Sequence, residues 1–102
     1  MALLEISGTQ GRTRRQAERK AIFATVQCRR GMAREAVQVL DISISGARIQ
    51  TLSPLRTGSV VWIRLPRLEP LQARIVWTRN FESGCEFVRP LHPAVFETIA
   101  RG

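Results

Sequence analysis

Asp41-Ile42-Ser43-Ile44-Ser45-Gly46-Ala47-Arg48-Ile49-Gln50 is the stretch on which the reading of the fold turns. It reads D-x-S-x-x-G, followed at once by a strand-like run over residues 47–51. Residues 36–40 lead into it as another strand, with Asp41 at its end. Two short strands joined by a Ser- and Gly-bearing turn belong to an antiparallel sheet, because parallel strands need a crossover of a dozen residues or more.

The same pattern extends outward in both directions. Upstream, Ile22, Ala24, Val26 and Cys28 alternate with more polar neighbours, the period-two signature of a half-buried strand, and Arg30-Gly31 supplies the turn back. Downstream, Ser53-Pro54 and Thr57-Gly58 punctuate a loop. Residues 59–65 form a strand with Val61, Ile63 and Leu65 on one face, ended by Pro66. Leu71, Ala73, Ile75 and Trp77 alternate with Gln72, Arg74, Val76 and Thr78, which predicts Trp77 at the end of the inward stripe. A turn is expected over residues 80–84, then a last strand with Cys85 and Phe87 facing inward. Trp62 is out of phase with its inward neighbours and is expected on the outer surface, where it offers a partner surface; Arg74 is expected outward as well. Pro90 and Pro93 open a short helix with Leu91, Val95 and Ile99 at i, i+4 and i+8, and His92 at its start reads as structural. Six short strands with frequent turn signals predict an all-β, six-stranded antiparallel β-barrel, with the C-terminal helix covering an open end or a sheet edge.

Composition bounds the function. A chain of 102 residues that is 44% hydrophobic is one domain with one core. No apolar run approaches the roughly 20 residues a membrane span needs, and the start is too short and too acidic for a signal peptide, so a cytoplasmic protein without membrane insertion is expected. Cys28 and Cys85 lack C-x-x-C spacing and read as small buried hydrophobes. His92 is the only histidine and Asp41 the only aspartate. That leaves no metal site, no cofactor site and no acid–base pair or triad, so an enzyme is not expected.

The charge is +8, and Lys20 is the sole lysine. Arginine suits two-pronged recognition of phosphate and of guanine edges better than lysine. Scattered arginines such as Arg56, Arg67 and Arg101 need no more than a GC-rich genome to explain them. The cluster Arg12, Arg14, Arg15, Arg19 is different. Arg15 and Arg19 form R-x-x-x-R, a spacing that points both guanidinium groups the same way in a helix or in an extended arm. Guanine presents O6 and N7 as adjacent acceptors for such a fork, and phosphate accepts it too. Asp41 can accept from guanine N1 and N2, which arginine cannot do, or serve as a plain turn residue. Ser43 can donate to a phosphate or hold the turn. Gly46 supplies a positive φ or lets the backbone approach a ligand closely.

The two motifs in this order, with residues 20–40 between them, resemble the PilZ domain family. The segments Gly46-Ala47-Arg48-Ile49, Gly58-Ser59-Val60-Val61-Trp62-Ile63, Ala73-Arg74-Ile75-Val76-Trp77 and Gly84-Cys85-Glu86-Phe87 are similar to its later strands, so the resemblance spans roughly residues 12–100. Residues 1–13, which include Ser7-Gly8-Thr9-Gln10-Gly11, read as a flexible segment, and residues 14–102 as a barrel domain with its arginine arm and helix. The resemblance implies a receptor for cyclic di-GMP that alters its surface to regulate an effector protein of motility, adhesion or secretion. It implies that Arg15 and Arg19 grip guanine and phosphate, with Asp41, Ser43 and Gly46 lining the other side of the base, and that Arg14 adds a phosphate contact. Arg14 beside Arg15 supplies the extra cation that an intercalated pair of ligands would need. Ser45 stands where the family often has a second glycine, at a permissive position. Two alternatives compete: a PilZ-like interaction module without ligand binding, and a basic nucleic-acid-binding barrel. The second is disfavoured by the lack of an aromatic-rich strand face. Trp77 reads as core, its alternative being a rim position over a base.

Overall fold

The computed structural model describes residues 18–101. The segment expected to be flexible, residues 1–13, and the arginines Arg14 and Arg15 lie outside them. Six strands follow one another: β1 (Lys20–Arg30), β2 (Ala33–Ile42), β3 (Gly46–Gln50), β4 (Val60–Arg64), β5 (Leu71–Arg79) and β6 (Glu82–Phe87), before a single described helix, α1 (Pro93–Arg101). All pairings are antiparallel, and the order β1-β2-β3-β6-β5-β4 closes on itself. The expected fold is the observed one, a closed six-stranded antiparallel barrel with a C-terminal helix.

The alternation of small apolar side chains drives the closure. Val26, Val37, Val39, Ile49, Ile63 and Ile75 fill the interior, and closure leaves few free strand edges to water. Cys28, Cys85 and Phe87 point inward, as their phase predicts. Both thiols are free, and burial pushes them up, to about 11 for Cys28 and about 12 for Cys85. Seam closure is short: β1 meets β4 only through Gln27↔Arg64, Cys28↔Ile63 and Arg29↔Trp62. Beside the earlier half of β1 lie the loop of Pro66, Arg67 and Leu68 and the helix residues Val95 and Ile99, packed near Ile22 and Ala24. The helix thus covers the stretch where β1 lacks β4. Its deepest anchor is Phe96, which is fully buried, flanked by the expected stripe of Leu91, Val95 and Ile99. His92 Nδ1 accepts from the Ala94 N–H at 3.0 Å and so caps the helix start, the structural role expected of it.

Two features depart from expectation. The turn after β5 is shorter than residues 80–84: Arg79 already pairs with Glu82, Asn80 adopts φ 56°, a conformation asparagine tolerates, and Gly84 lies within β6. Trp77 is outside the barrel rather than in its core. The β5–β6 register shifts between Ile75 and Trp77, so Val76 is an extra residue, and Trp77 is 38% exposed. One inserted residue reverses every later side chain. Phe23 sits in a similar irregularity of β1, between Ala21 and Ala24, with φ 47° and its ring exposed.

Candidate functional site

A bulge also decides where Asp41 points. The β2–β3 register shifts between Val39 and Asp41, leaving Leu40 as the extra residue. Without it Asp41 would share the inward phase of Val39. With it the carboxylate emerges on the outer face, and Ile42 takes the buried place.

Two guanidinium groups meet that carboxylate. Arg19, just ahead of β1, donates from Nη1 to Asp41 Oδ1 at 2.6 Å. Arg48 of β3, the cross-strand partner of Asp41, donates from Nε to Oδ2 at 2.9 Å and from Nη1 to Glu82 Oε1 at 3.2 Å. The Asp41 side chain is 15% exposed, against 50% for Arg19 and 42% for Arg48, so an inset anion is flanked by two accessible cations. The Asp41 hydrogen bond, and then its charge, raise the Arg48 pKa above the ordinary guanidinium value.

The turn that follows is held by its own residues. Ser43 N–H donates to Gly46 O at 2.8 Å, and Gly46 N–H donates to Ser43 Oγ at 3.1 Å. The Ser43 hydroxyl is buried, within 3.3 Å of Gly46 O and of Ser45 Oγ. Ile44 and Ser45 carbonyls accept from the N–H groups of Leu91 and Phe87, which ties the turn to the segment leading into α1. Gly46 is needed for a reason the sequence did not reveal. Its φ is not positive, but a Cβ there would collide with the backbone of Cys85 in β6. The close approach is to the neighbouring strand.

Register then carries one row across the outer face. Asp41 pairs with Arg48, Arg48 with Gly84, and Gly84 with Trp77. The Trp77 indole lies directly over Gly84, where a Cβ would strike Nε1, and the Arg79 guanidinium lies 6.0 Å from the Trp77 ring. Four strands thus present, in sequence, a carboxylate, a guanidinium, a bare backbone step and an indole. That arrangement offers hydrogen-bond acceptors, charge-assisted donors and a stacking plane side by side.

Of the expected site residues, Arg19 and Asp41 are in direct contact, and Ser43 and Gly46 shape the turn next to them. Arg74 points outward as expected and pairs with Glu86 at 3.3 Å. Arg48 was missed, though a signal existed: Asp41 and Arg48 stand symmetrically about the Ser43–Gly46 turn, as do Ile42 and Ala47. Trp77 was reachable only as the alternative to a core role, because the bulge at Val76 leaves no mark in the sequence.

No group of three or more His, Cys, Asp or Glu side chains among the described residues is placed to hold a metal ion, and no described helix is long and apolar enough to cross a membrane. No curated protein and no solved structure matches the chain. A family model does, the PilZ domain, over residues 13–102. That match takes in both motifs, the whole barrel and the helix, and the chain belongs to the PilZ domain family, whose members are binding and adaptor domains.

Proposed function

We propose that this protein is a bacterial, cytosolic receptor for cyclic di-GMP, not an enzyme, and that ligand binding changes the surface it offers to an effector protein. The observation that carries the reading is the Arg19–Asp41 contact: the second arginine of R-x-x-x-R rests on the one aspartate of D-x-S-x-x-G, 22 residues away in sequence. In the bound state Asp41 accepts the N1 and N2 hydrogens of guanine, while Arg15 and Arg19 turn to O6, N7 and the phosphates. Arg14 adds a phosphate contact. Arg48 keeps the carboxylate outward while Arg19 leaves it. Ser43 and Gly46 act by holding the turn that fixes Asp41, and Ser43 Oγ is already committed to that turn. The transfer of Arg19 from Asp41 to the ligand is the step that links binding to a new surface, since it repositions the chain ahead of β1.

Titration calorimetry with cyclic di-GMP tests the reading, on the native protein and on Arg15→Ala/Arg19→Ala. Each arginine is expected to contribute roughly ten- to a hundredfold in affinity. Binding that vanishes in the double variant supports a receptor, and its stoichiometry separates one ligand from an intercalated pair. No heat and no thermal stabilisation of the native protein would leave an interaction module without a ligand.

A further inference from the structure

Far round the barrel from Arg48 lies a surface outside the proposed ligand site. In the order β1-β2-β3-β6-β5-β4, strand β4 stands three places from β3 in either direction, so their outer faces look opposite ways. Trp62 projects from β4 between the inward Val61 and Ile63 and is half-buried. Its cross-strand neighbour is Arg29, whose guanidinium lies 5.6 Å from the indole centroid. The other neighbour of Arg29 is Arg34, on the same face, and Gln27 one step along pairs with Arg64. Beside Trp62 runs a groove of about 340 Å³, floored by Pro70, Leu71 and Val88 and edged by Arg89.

Two facts make this more than a solvated face. Like charges directly opposite on antiparallel strands destabilise the sheet, and Arg29↔Arg34 is such a pair. Among the described residues, none of Arg29, Arg34, Arg64 and Arg89 has a carboxylate within ion-pair distance, whereas Arg19, Arg48 and Arg74 each do. Glu35, next to Arg34, is engaged elsewhere, accepting from the N–H groups of Leu52 and Ser53.

We infer that the face around Trp62 docks an acidic segment of a partner protein, its carboxylates on Arg29, Arg34, Arg64 and Arg89 and one apolar side chain in the groove beside the indole. Tryptophan and arginine are the residues that dominate binding energy at protein interfaces, and the unpaired cations supply the complementarity that steers an acidic partner. A nucleic acid would find one aromatic platform and an apolar groove floor in place of a row of stacking surfaces. A bilayer would find a concavity. The inference rests on the adaptor half of the proposed function and is independent of the ligand.

The test is NMR titration of the full chain with an oligoglutamate peptide bearing one central leucine, in parallel with a random-sequence DNA duplex and phosphatidylserine vesicles. The peptide is expected to shift the Trp62 indole N–H and leave that of Trp77 in place. Replacing its leucine by serine should weaken binding several-fold, and Arg34→Glu should weaken it tenfold or more. Arg34→Glu also removes the like-charge pair with Arg29, so its thermal midpoint should rise or hold, which separates lost docking from lost folding. A cyclic di-GMP titration of the same variant reads the other face and should be unchanged. Peptide shifts confined to the Arg19 and Trp77 side, indifference to Arg34→Glu, or preferential binding of the duplex or the vesicles would overturn the inference.

Discussion

Arg48 stands directly across the β2–β3 ladder from Asp41 and holds its Oδ2 at 2.9 Å, while Arg19 holds Oδ1. The two arginines have different attachments. Arg48 is fixed in a strand and also anchored to Glu82; Arg19 precedes β1 and has Asp41 as its one described carboxylate partner. In the proposed bound state Arg19 is the one expected to move. Arg48→Ala should therefore weaken cyclic di-GMP binding by roughly tenfold, through loss of Asp41 orientation. It should barely change the thermal midpoint, because exposed ion pairs contribute little to stability. Calorimetry alongside a thermal melt checks both. A large fall in the melt with unchanged affinity would make Arg48 a structural residue only.

Gly46→Ala places a methyl group against the carbonyl of Cys85, backbone against backbone, where neither strand can give way without breaking Gly46↔Glu86 and Ala47↔Cys85 pairing. The expected cost is at least about 2 kcal/mol, in the range of overpacking substitutions. Urea denaturation measures it, and an undiminished midpoint would show that the β3–β6 contact is looser than described.

Much of this architecture could be read from residue types alone. The alternation in Ile22–Cys28, Val61–Leu65 and Leu71–Ile75 reports burial one residue at a time, and burial is what closes the barrel. What escaped was set by single inserted residues. Leu40 and Val76 each shift the register by one, and neither differs in type from an ordinary strand residue. Those two bulges bring Asp41 and Trp77 onto the same outer face. Alternation therefore fails at the site while holding elsewhere. Phe96 escaped for another reason: the i, i+4, i+8 stripe runs through Leu91, Val95 and Ile99, and the buried face is wide enough to take the adjacent position too.

Phe96→Ala follows from that. The ring is 1% exposed, in the core beneath the barrel's helix-covered side. Emptying such a site costs about 3–5 kcal/mol, a large share of the 5–15 kcal/mol typical of a domain. Chemical denaturation should show it. Phe96→Leu, which keeps most of the volume, should cost less than half as much.

The buried thiols give a pH dependence. In the unfolded chain they titrate near the ordinary value of 9.0; in the folded protein burial holds Cys28 protonated to about 11 and Cys85 to about 12. Above pH 9 the unfolded state releases these protons first, so it binds fewer than the native state and stability falls as pH rises. Their contribution is fully present below pH 9 and is lost as pH climbs towards 12, at no more than about 1.4 kcal/mol per pH unit for each thiol. Urea midpoints measured from pH 8 upward should fall in the native protein and fall less in Cys28→Ala/Cys85→Ala.

Trp77 offers a direct optical test of the outer row. Its indole covers Gly84, which stands next to Arg48, which holds Asp41. A guanine seated on Asp41 would lie along the same outer row as that ring. In a Trp62→Phe background, which leaves Trp77 as the only indole, cyclic di-GMP should quench the fluorescence with the same midpoint as calorimetry. Base–aromatic stacking is worth about 1–3 kcal/mol per base, so Trp77→Ala should weaken binding by roughly tenfold or more. Gly84→Ala provides the converse. Its methyl group would strike the indole, the nearest group to it, and lift it off the strand. It should disturb the quench while leaving the Arg19-dependent part of binding intact. Quenching that survives Gly84→Ala unchanged, with full affinity in Trp77→Ala, would remove the indole from the site and leave the arginines and Asp41 to hold the ligand alone.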